Sequence, residues 1–113
     1  AYEISTRAWS SDVCSSDLEW FGELRSYATQ REGAEPDEQD ERFAWEHHLR
    51  LECLSPFEAG NGRTARLCLN HIRVLRRLPP FTFDGMSAEE YWSEVDSFRE
   101  TVMLPRWEKR GIL

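Results

Sequence analysis

The segment Ser55–Arg66, which reads SPFEAGNGRTAR, decides the fold. Pro56 disfavours helical backbone geometry at the residue before it, so the chain is expected to turn extended there. Gly60–Gly62 follows with the sequence Gly-Asn-Gly, and these residue types tolerate positive φ angles best. An apolar segment with helical periodicity begins at Gly62 or Arg63. The pattern therefore predicts a loop that opens directly onto the N-terminus of a helix.

This loop has the chemistry of an anion-binding site. The first backbone N–H groups of a helix have no partner within the helix, and the helix dipole adds partial positive charge. Arg63 and Arg66 are three residues apart and project from neighbouring points of the first turn. Their guanidinium groups can grip phosphate oxygens bidentately. We therefore predict a polyphosphate site, and the alternative is a plain turn with both arginines facing solvent.

A longer signature runs through the same segment, namely His-x-Phe-x-(Asp or Glu)-Gly-Asn-Gly-Arg-x-x-Arg. Six positions are in register with it: Phe57, Gly60, Asn61, Gly62, Arg63 and Arg66. The segment resembles the motif of the Fic (Fido) domain family, and the resemblance extends to WEHHL at 45–49, to Asn70 and to the Leu78–Pro80 exit. It implies a mainly α fold, a Fic-type helical bundle with a central motif-bearing helix.

The resemblance also implies an activity. Fic domains transfer AMP from ATP to Ser, Thr or Tyr hydroxyls of target proteins, so a nucleotide with Mg²⁺ is the implied cofactor and a protein is the implied partner. Nucleotide phosphates would be bound by Gly60, Asn61, Gly62, Arg63 and Arg66. Phe57 would pack beneath the loop, and Asn70 would make a structural hydrogen bond.

Two positions depart from the signature. Ser55 stands where the family has its catalytic histidine, and a serine hydroxyl is no base near neutral pH. Ala59 stands where the family has the acidic residue that holds Mg²⁺, and it offers no oxygen ligand. Glu58 is adjacent, but neighbouring side chains in an extended loop point in roughly opposite directions. We therefore expect a nucleotide-binding but catalytically impaired domain, and no metal ligand is assigned.

Two other functions stay open. One is an active nucleotidyl- or phosphotransferase that uses Glu58, a histidine or a substrate group as the base. His47 and His48 are the histidines nearest the motif, although a packed or surface role suits them better because a base must reach its proton. The other is a non-enzymatic interaction module that keeps the glycine loop for folding alone.

Hydrophobic periodicity predicts four helices. The first, about Glu19–Gln30, places Phe21, Leu24 and Ala28 on its inner face, and the second, about Asp40–Leu54, does so with Phe43, His47, Leu51 and Leu54. Between them Arg31–Glu41 (REGAEPDEQDE) is expected to be a solvated loop.

The third helix is expected to run to Leu78, before Pro79, and its apolar residues cover more than one stripe, which is typical of a buried helix. Arg73, Arg76 and Arg77 lie near its C-terminus, where cations are favourable. The fourth helix should follow a capping box at Ser87–Glu90 and end at Pro105. Its aromatic residues Tyr91, Trp92 and Phe98 are expected in the core.

Composition limits the remaining possibilities. The chain has 113 residues, enough for one domain, and its net charge of −7 argues against nucleic-acid and anionic-membrane partners. No apolar run approaches the roughly 18 residues of a membrane span. Cys53 and Cys68 are expected to be free thiols in a cytoplasmic protein.

The N-terminal segment Trp9–Leu18, WSSDVCSSDL, resembles one reading frame of a sequencing-library adapter found in metagenome-derived genes. On that interpretation residues 1–18 are non-native, residues 19–104 are the Fic-like core and residues 105–113 are a tail. The true N-terminus and the β-hairpin that aligns the target in the family would then lie upstream of Glu19.

Overall fold

The computed structural model describes residues 11–54 and 59–111. Within these ranges the chain forms helices and no strand, which confirms the predicted mainly α bundle. The helices are α1 Ser11–Gln30, α2 Glu38–Leu54, α3 Asn61–Leu75, α4 Ala88–Phe98 and α5 Leu104–Lys109, with a π-helical turn, Arg99–Met103, between the last two. Helix α2 lies centrally, because it contacts α1, α3, α4 and the π-helical turn. None of the described helices is long and apolar enough to cross a bilayer.

Helix α1 packs on α2 through Trp20 rather than through the predicted face. The Trp20 indole N–H donates to the backbone oxygen of His47 at 2.8 Å, and His47 Nε2 lies 2.9 Å from the backbone oxygen of Trp20. The two rings stack with their centroids 4.4 Å apart. Phe21 is 61% exposed and Ala28 is also exposed, so the predicted inner face is wrong at both positions. Spacing alone fits either set of residues, and the reciprocal hydrogen bonds with His47 decide in favour of Trp20.

The stretch predicted to be a solvated loop contains the most buried carboxylate. Asp40 is 0% exposed and lies in the first turn of α2. Its carboxylate accepts hydrogen bonds from Arg76 Nε at 2.9 Å, from the Tyr27 hydroxyl at 2.6 Å and from Arg31 Nε at 3.3 Å. Burial acts to raise the pKa of Asp40, but these donors outweigh it and hold the pKa well below its usual range.

Arg76 therefore has a different role from the one predicted for it. Its guanidinium group is buried, pairs with Asp40 and donates to the backbone oxygens of Arg31 and Ala34 at 3.1 and 2.9 Å. It thus fastens the loop between α1 and α2 to the end of α3. A general preference of cations for helix C-termini does not describe this contact, because the partner is a side chain on another helix.

Helix α3 ends earlier than predicted and buries less of its surface. Arg77 has a φ of 62°, and the Leu78 N–H donates to the Arg73 oxygen at 2.8 Å, so a Schellman-type cap stops the helix before Pro79. Ala65, Leu69 and Ile72 are buried, but Leu67, Val74 and Leu75 are 73%, 58% and 54% exposed. The prediction that most sides of this helix are buried is therefore wrong.

The C-terminal part of the chain continues past the predicted stop. Ser87 Oγ accepts a hydrogen bond from the Glu90 N–H at 3.1 Å, as expected, while the Glu90 carboxylate contacts Ser87 Oγ at 3.3 Å rather than a backbone donor. Pro105 does not end the helical path, because a new α-helix, α5, begins at Leu104 directly after the π-helical turn. Proline then lies in the first turn of α5, where its missing N–H has no helical partner to lose.

Two small apolar clusters fill the core. The first contains Trp20, Leu51, Leu54, Ala65 and Met103. The second contains Ala44, Leu69 and Ile72, covered by the aromatic side chains of Phe43, Trp45, Phe81 and Phe83. Val95 is buried and Tyr91 and Phe98 are half-buried, whereas Trp92 is exposed, contrary to expectation. Cys53 and Cys68 are free and half-buried, and burial raises the pKa of Cys53 to about 11.

Replacing Asp40 with Asn should destabilise the protein strongly, because it leaves the buried Arg76 guanidinium group without a counter-charge and Arg31 with only the exposed Asp37. Removing one partner of a buried ion pair costs about 3–5 kcal/mol. We expect a loss of about 3 kcal/mol in the free energy of unfolding, measured by urea denaturation. Asp96→Asn is the matched control, since the Asp96–Arg99 pair is exposed and its loss should cost less than about 1 kcal/mol. Equal effects of the two substitutions would contradict the role given to Asp40.

The burial of His47 should make stability depend on pH in the mildly acidic range. Burial lowers the pKa of His47 to about 4. Below about pH 6.5, His47 therefore binds a proton in the unfolded chain but stays neutral in the folded chain. The free energy of unfolding falls as the pH drops from there towards 4. We expect a loss of about 3 kcal/mol from His47 over this window, measured by urea denaturation at each pH.

His47→Gln should remove part of this acid sensitivity. His71→Gln, at an exposed position of α3, should leave it unchanged. The same pH dependence in His47→Gln and in the unsubstituted protein would show that another group is responsible.

Candidate phosphate-binding site

The start of α3 has the local geometry of an open helix N-terminus. Gly60 occupies the N-cap position with φ 78° and ψ 14°, which is the left-handed region. Its carbonyl accepts the Thr64 N–H at 2.9 Å and so closes the first turn, and Gly60 itself has no side chain that could cap it. Helix α3 therefore begins at Asn61, one or two residues earlier than the predicted start at Gly62 or Arg63.

The two motif arginines lie on the exposed side of this turn. The Arg63 guanidinium group has no hydrogen-bond or ion-pair partner among the described residues. Arg66 folds back towards the helix start, where its Nε donates to the Gly62 oxygen at 3.2 Å. A Cβ atom at position 62 would lie 3.3 Å from an Arg66 terminal nitrogen, so glycine there lets the guanidinium group approach the backbone closely.

A cleft of about 250 Å³ opens beside Arg66. The Arg66 guanidinium carbon lies 5.8 Å from the centre of the Phe83 ring, within the range of a cation–π contact. The cleft is lined by Arg66, Phe83, Met86, Ser87, Ala88, Tyr91 and Trp92. A positively charged fork at an aromatic wall is suited to a ligand with both an anionic and a planar part.

Of the two positions that depart from the signature, the structure describes Ala59 and not Ser55. Ala59 is exposed, and its methyl group gives the helix start no oxygen ligand for a cation. Ser55, Phe57 and Glu58 lie outside the described residues, so the structure bears on none of their predicted roles. Among the described residues there is no group of three or more His, Cys, Asp and Glu side chains that could hold a metal ion.

Neither neighbouring histidine is available as a direct base. His47 is engaged with Trp20, as described above. His48 is 0% exposed, with Nδ1 2.8 Å from the Ala65 oxygen and Nε2 2.8 Å from the Tyr91 hydroxyl. Because both ring nitrogens of His48 are occupied by protein atoms, no substrate hydroxyl can reach them.

Glu52 is a site residue that the sequence reasoning missed. The Tyr91 hydroxyl donates to Glu52 Oε2 at 2.7 Å, and Glu52 Oε1 lies 3.9 Å from the position of a Cβ atom at Gly62. Burial first, and then the hydrogen bond to Glu52, raise the pKa of Tyr91 well above its ordinary value. The available signal was helical spacing, since Glu52 lies four residues after His48 and shares its face of α2.

Asn70 links the middle of α3 to the segment that follows it. Asn70 Oδ1 accepts the Phe81 N–H at 2.6 Å, which holds Phe81 and Phe83 over the aromatic cluster. The wall of the cleft beside Arg66 is thereby fixed relative to α3.

Comparisons with known proteins show a similarity over part of the chain. The chain is 40% identical over 48 residues, or 42% of its length, to the protein adenylyltransferase fic-1 of Caenorhabditis briggsae and to that of Caenorhabditis elegans. The match spans 10% and 9% of those two proteins. No family model matches the chain, and no solved structure matches it. The similarity supports a Fic-like relationship for part of the chain.

Replacing Gly60 with Ala should destabilise the start of α3. A side chain in the left-handed region costs about 1–2 kcal/mol, even though a Cβ atom at Gly60 would meet no atom within 4 Å. Gly22→Ala is the control, because Gly22 lies in open space within α1 and alanine should stabilise that helix by about 0.5–1 kcal/mol. Thermal denaturation of both variants should show shifts of opposite sign. A neutral or stabilising Gly60→Ala would rule out the left-handed start.

Proposed function

We propose that the start of α3 binds the phosphate groups of a nucleotide in a domain related to the Fic protein adenylyltransferases. The observation that carries this proposal is the pair of exposed arginines at the start of α3, a helix that begins at a glycine in the left-handed region. Uncompensated cations at the positive end of a helix dipole are unfavourable on their own, and a bound polyanion removes that cost. Gly60, Asn61 and Gly62 would supply backbone N–H groups, and Arg63 and Arg66 would supply the guanidinium forks.

The same proposal includes impaired catalysis. In the Fic family a histidine takes the proton of the target hydroxyl, and an acidic residue holds Mg²⁺. Ser55 and Ala59 occupy those positions here. Loss of a general base typically lowers the rate 10²–10⁴-fold. We infer a domain that retains phosphate binding and has lost most of its proton-transfer and metal-binding chemistry.

An active transferase with a substitute base is the second candidate, and the position of Glu52 favours it. Glu52 lies beside Gly62 and is linked to His48 by hydrogen bonds through the Tyr91 hydroxyl. A carboxyl group that could accept a proton therefore lies next to the start of α3. Incubation with labelled ATP and a cell lysate tests this candidate. Label transferred to protein, and abolished by Arg63→Ala, would favour it over the impaired domain.

Nucleotide binding should be detectable by thermal stability and by calorimetry with ATP and ADP. A ligand at 100 times its Kd should stabilise the fold by about 2.7 kcal/mol. Arg63→Ala should weaken binding by about 10- to 100-fold, because a hydrogen bond between charged groups contributes about 1.5–3 kcal/mol.

Arg42→Ala is the charge-matched control, since Arg42 is an exposed arginine on α2. It should leave the affinity unchanged. Absence of any stabilisation by either nucleotide at millimolar concentration would remove the proposed function, and equal weakening in both variants would reduce it to non-specific charge attraction.

A further inference from the structure

A row of three ionisable side chains lies beneath the start of α3. His48 and Glu52 come from α2, and Tyr91 comes from α4 and stands between them. His48 is fully buried and Glu52 is 7% exposed. The row runs from the Ala65 oxygen on α3 through His48 and Tyr91 to Glu52, whose other oxygen adjoins Gly62.

The first contact fixes the tautomer of His48. A backbone carbonyl oxygen can only accept, so the 2.8 Å contact between Nδ1 and the Ala65 oxygen requires a hydrogen on Nδ1. A neutral imidazole has one ring hydrogen. In a neutral His48, Nε2 would therefore be an acceptor facing the Tyr91 hydroxyl.

The next two contacts then need more hydrogens than the groups supply. Tyr91 has one hydroxyl hydrogen, but its oxygen lies 2.8 Å from His48 Nε2 and 2.7 Å from Glu52 Oε2. With neutral imidazole and an ionised carboxylate, one of these contacts would join two lone pairs in a buried place, which is unfavourable. One additional hydrogen, on either Nε2 or the Glu52 carboxyl group, satisfies both contacts.

We propose that His48, Tyr91 and Glu52 share one exchangeable proton and form a buried relay that sets the charge beneath the start of α3. With the proton, the trio is neutral, either as imidazolium with carboxylate or as imidazole with carboxylic acid. Without it, the trio carries one negative charge. Tyr91 is the positioning residue that connects the two ends.

The surroundings act on the relay from several elements. Burial lowers the pKa of His48, while the Ala65 oxygen and Glu52 act to raise it and Arg66 on α3 acts to lower it. Cys53 on α2 acts to raise the pKa of Tyr91. The rings of Trp45 and Phe83 contact those of His48 and Tyr91. The shared proton is the arrangement that gives both contacts of the Tyr91 oxygen a hydrogen.

The relay also regulates the proposed site, and this consequence rests on the proposed phosphate binding. A polyanion at Arg63 and Arg66 would lie near the trio and would favour its neutral form over its anionic form. Bound phosphate should therefore raise the pH at which the trio loses its shared proton. By linkage, the protonated form of the trio should bind phosphate more tightly.

Nuclear magnetic resonance on the 113-residue chain tests the proton count. Long-range correlations to ¹⁵N-labelled histidine distinguish the neutral tautomers from the imidazolium, and the ¹³C shift of the Glu52 carboxyl group reports its protonation. At pH 7 without ligand, His48 should carry a hydrogen on Nδ1, and one further proton should be found on Nε2 or on Glu52. Neutral His48 together with ionised Glu52 in the folded protein would overturn the proposal.

Glu52→Gln is the informative variant. Its amide N–H can donate to the Tyr91 oxygen and leave the hydroxyl hydrogen for Nε2, so every contact is satisfied without an extra proton. His48 should then be the neutral Nδ1–H tautomer. An imidazolium that persists in this variant would contradict the relay. If the variant does not fold, the spectra of the unsubstituted protein decide the count alone.

Inorganic tripolyphosphate tests the coupling to the site. Its addition should raise the pH at which the shared proton is lost, and a rise of one pH unit corresponds to tenfold tighter binding by the protonated form. Binding without any rise would overturn the coupling. A failure of tripolyphosphate and nucleotides to bind at all would remove the proposed function instead, while the ligand-free spectra would still decide whether the proton is shared.

Discussion

Buried polar contacts with α2 fix the position of α3 near both ends of α3, and the candidate site depends on these contacts. Near the start of α3, His48 contacts the Ala65 carbonyl, and just beyond its end Asp40 pairs with Arg76. A buried polar group without a partner is costly, so sliding α3 by one turn would break both contacts at once.

This attachment determines where the motif arginines point. With Ala65 fixed against His48, the start of α3 presents Arg63 and Arg66 on its exposed side and leaves Gly62 beside Glu52. The hydrogen bond from the Phe81 N–H to Asn70 then sets the aromatic wall of the neighbouring cleft. The site is thus built on buried contacts, an arrangement that keeps a binding surface rigid while its own residues remain exposed.

Buried ionisable groups recur along α2. The Asp40 pair uses fixed charges, since arginine stays protonated and the donors around Asp40 favour its ionised form. The His48, Tyr91 and Glu52 row has groups that can exchange a proton. The first arrangement suits a structural joint, and the second suits a group whose charge responds to what binds nearby.

The sequence by itself determined the helical class, the loop ahead of α3 and the arginines that follow it, because these depend on local signals. Helical periodicity, proline, and glycine with positive φ act within a few residues. It also indicated the free cysteines and the Ser87 cap. Local patterns failed where two solutions were equally periodic, as with Phe21 and Trp20, or where a charged residue had a distant partner, as with Asp40.

Only the tertiary structure decided which charges are buried and which apolar residues are exposed. The partner of Asp40 is 36 residues away, and Tyr91 is 39 residues from Glu52. No spacing rule connects such positions, because their approach depends on how α3 and α4 pack against α2. The burial of a charge follows from the partners that the fold brings to it, and those partners are known only when the helices are assembled.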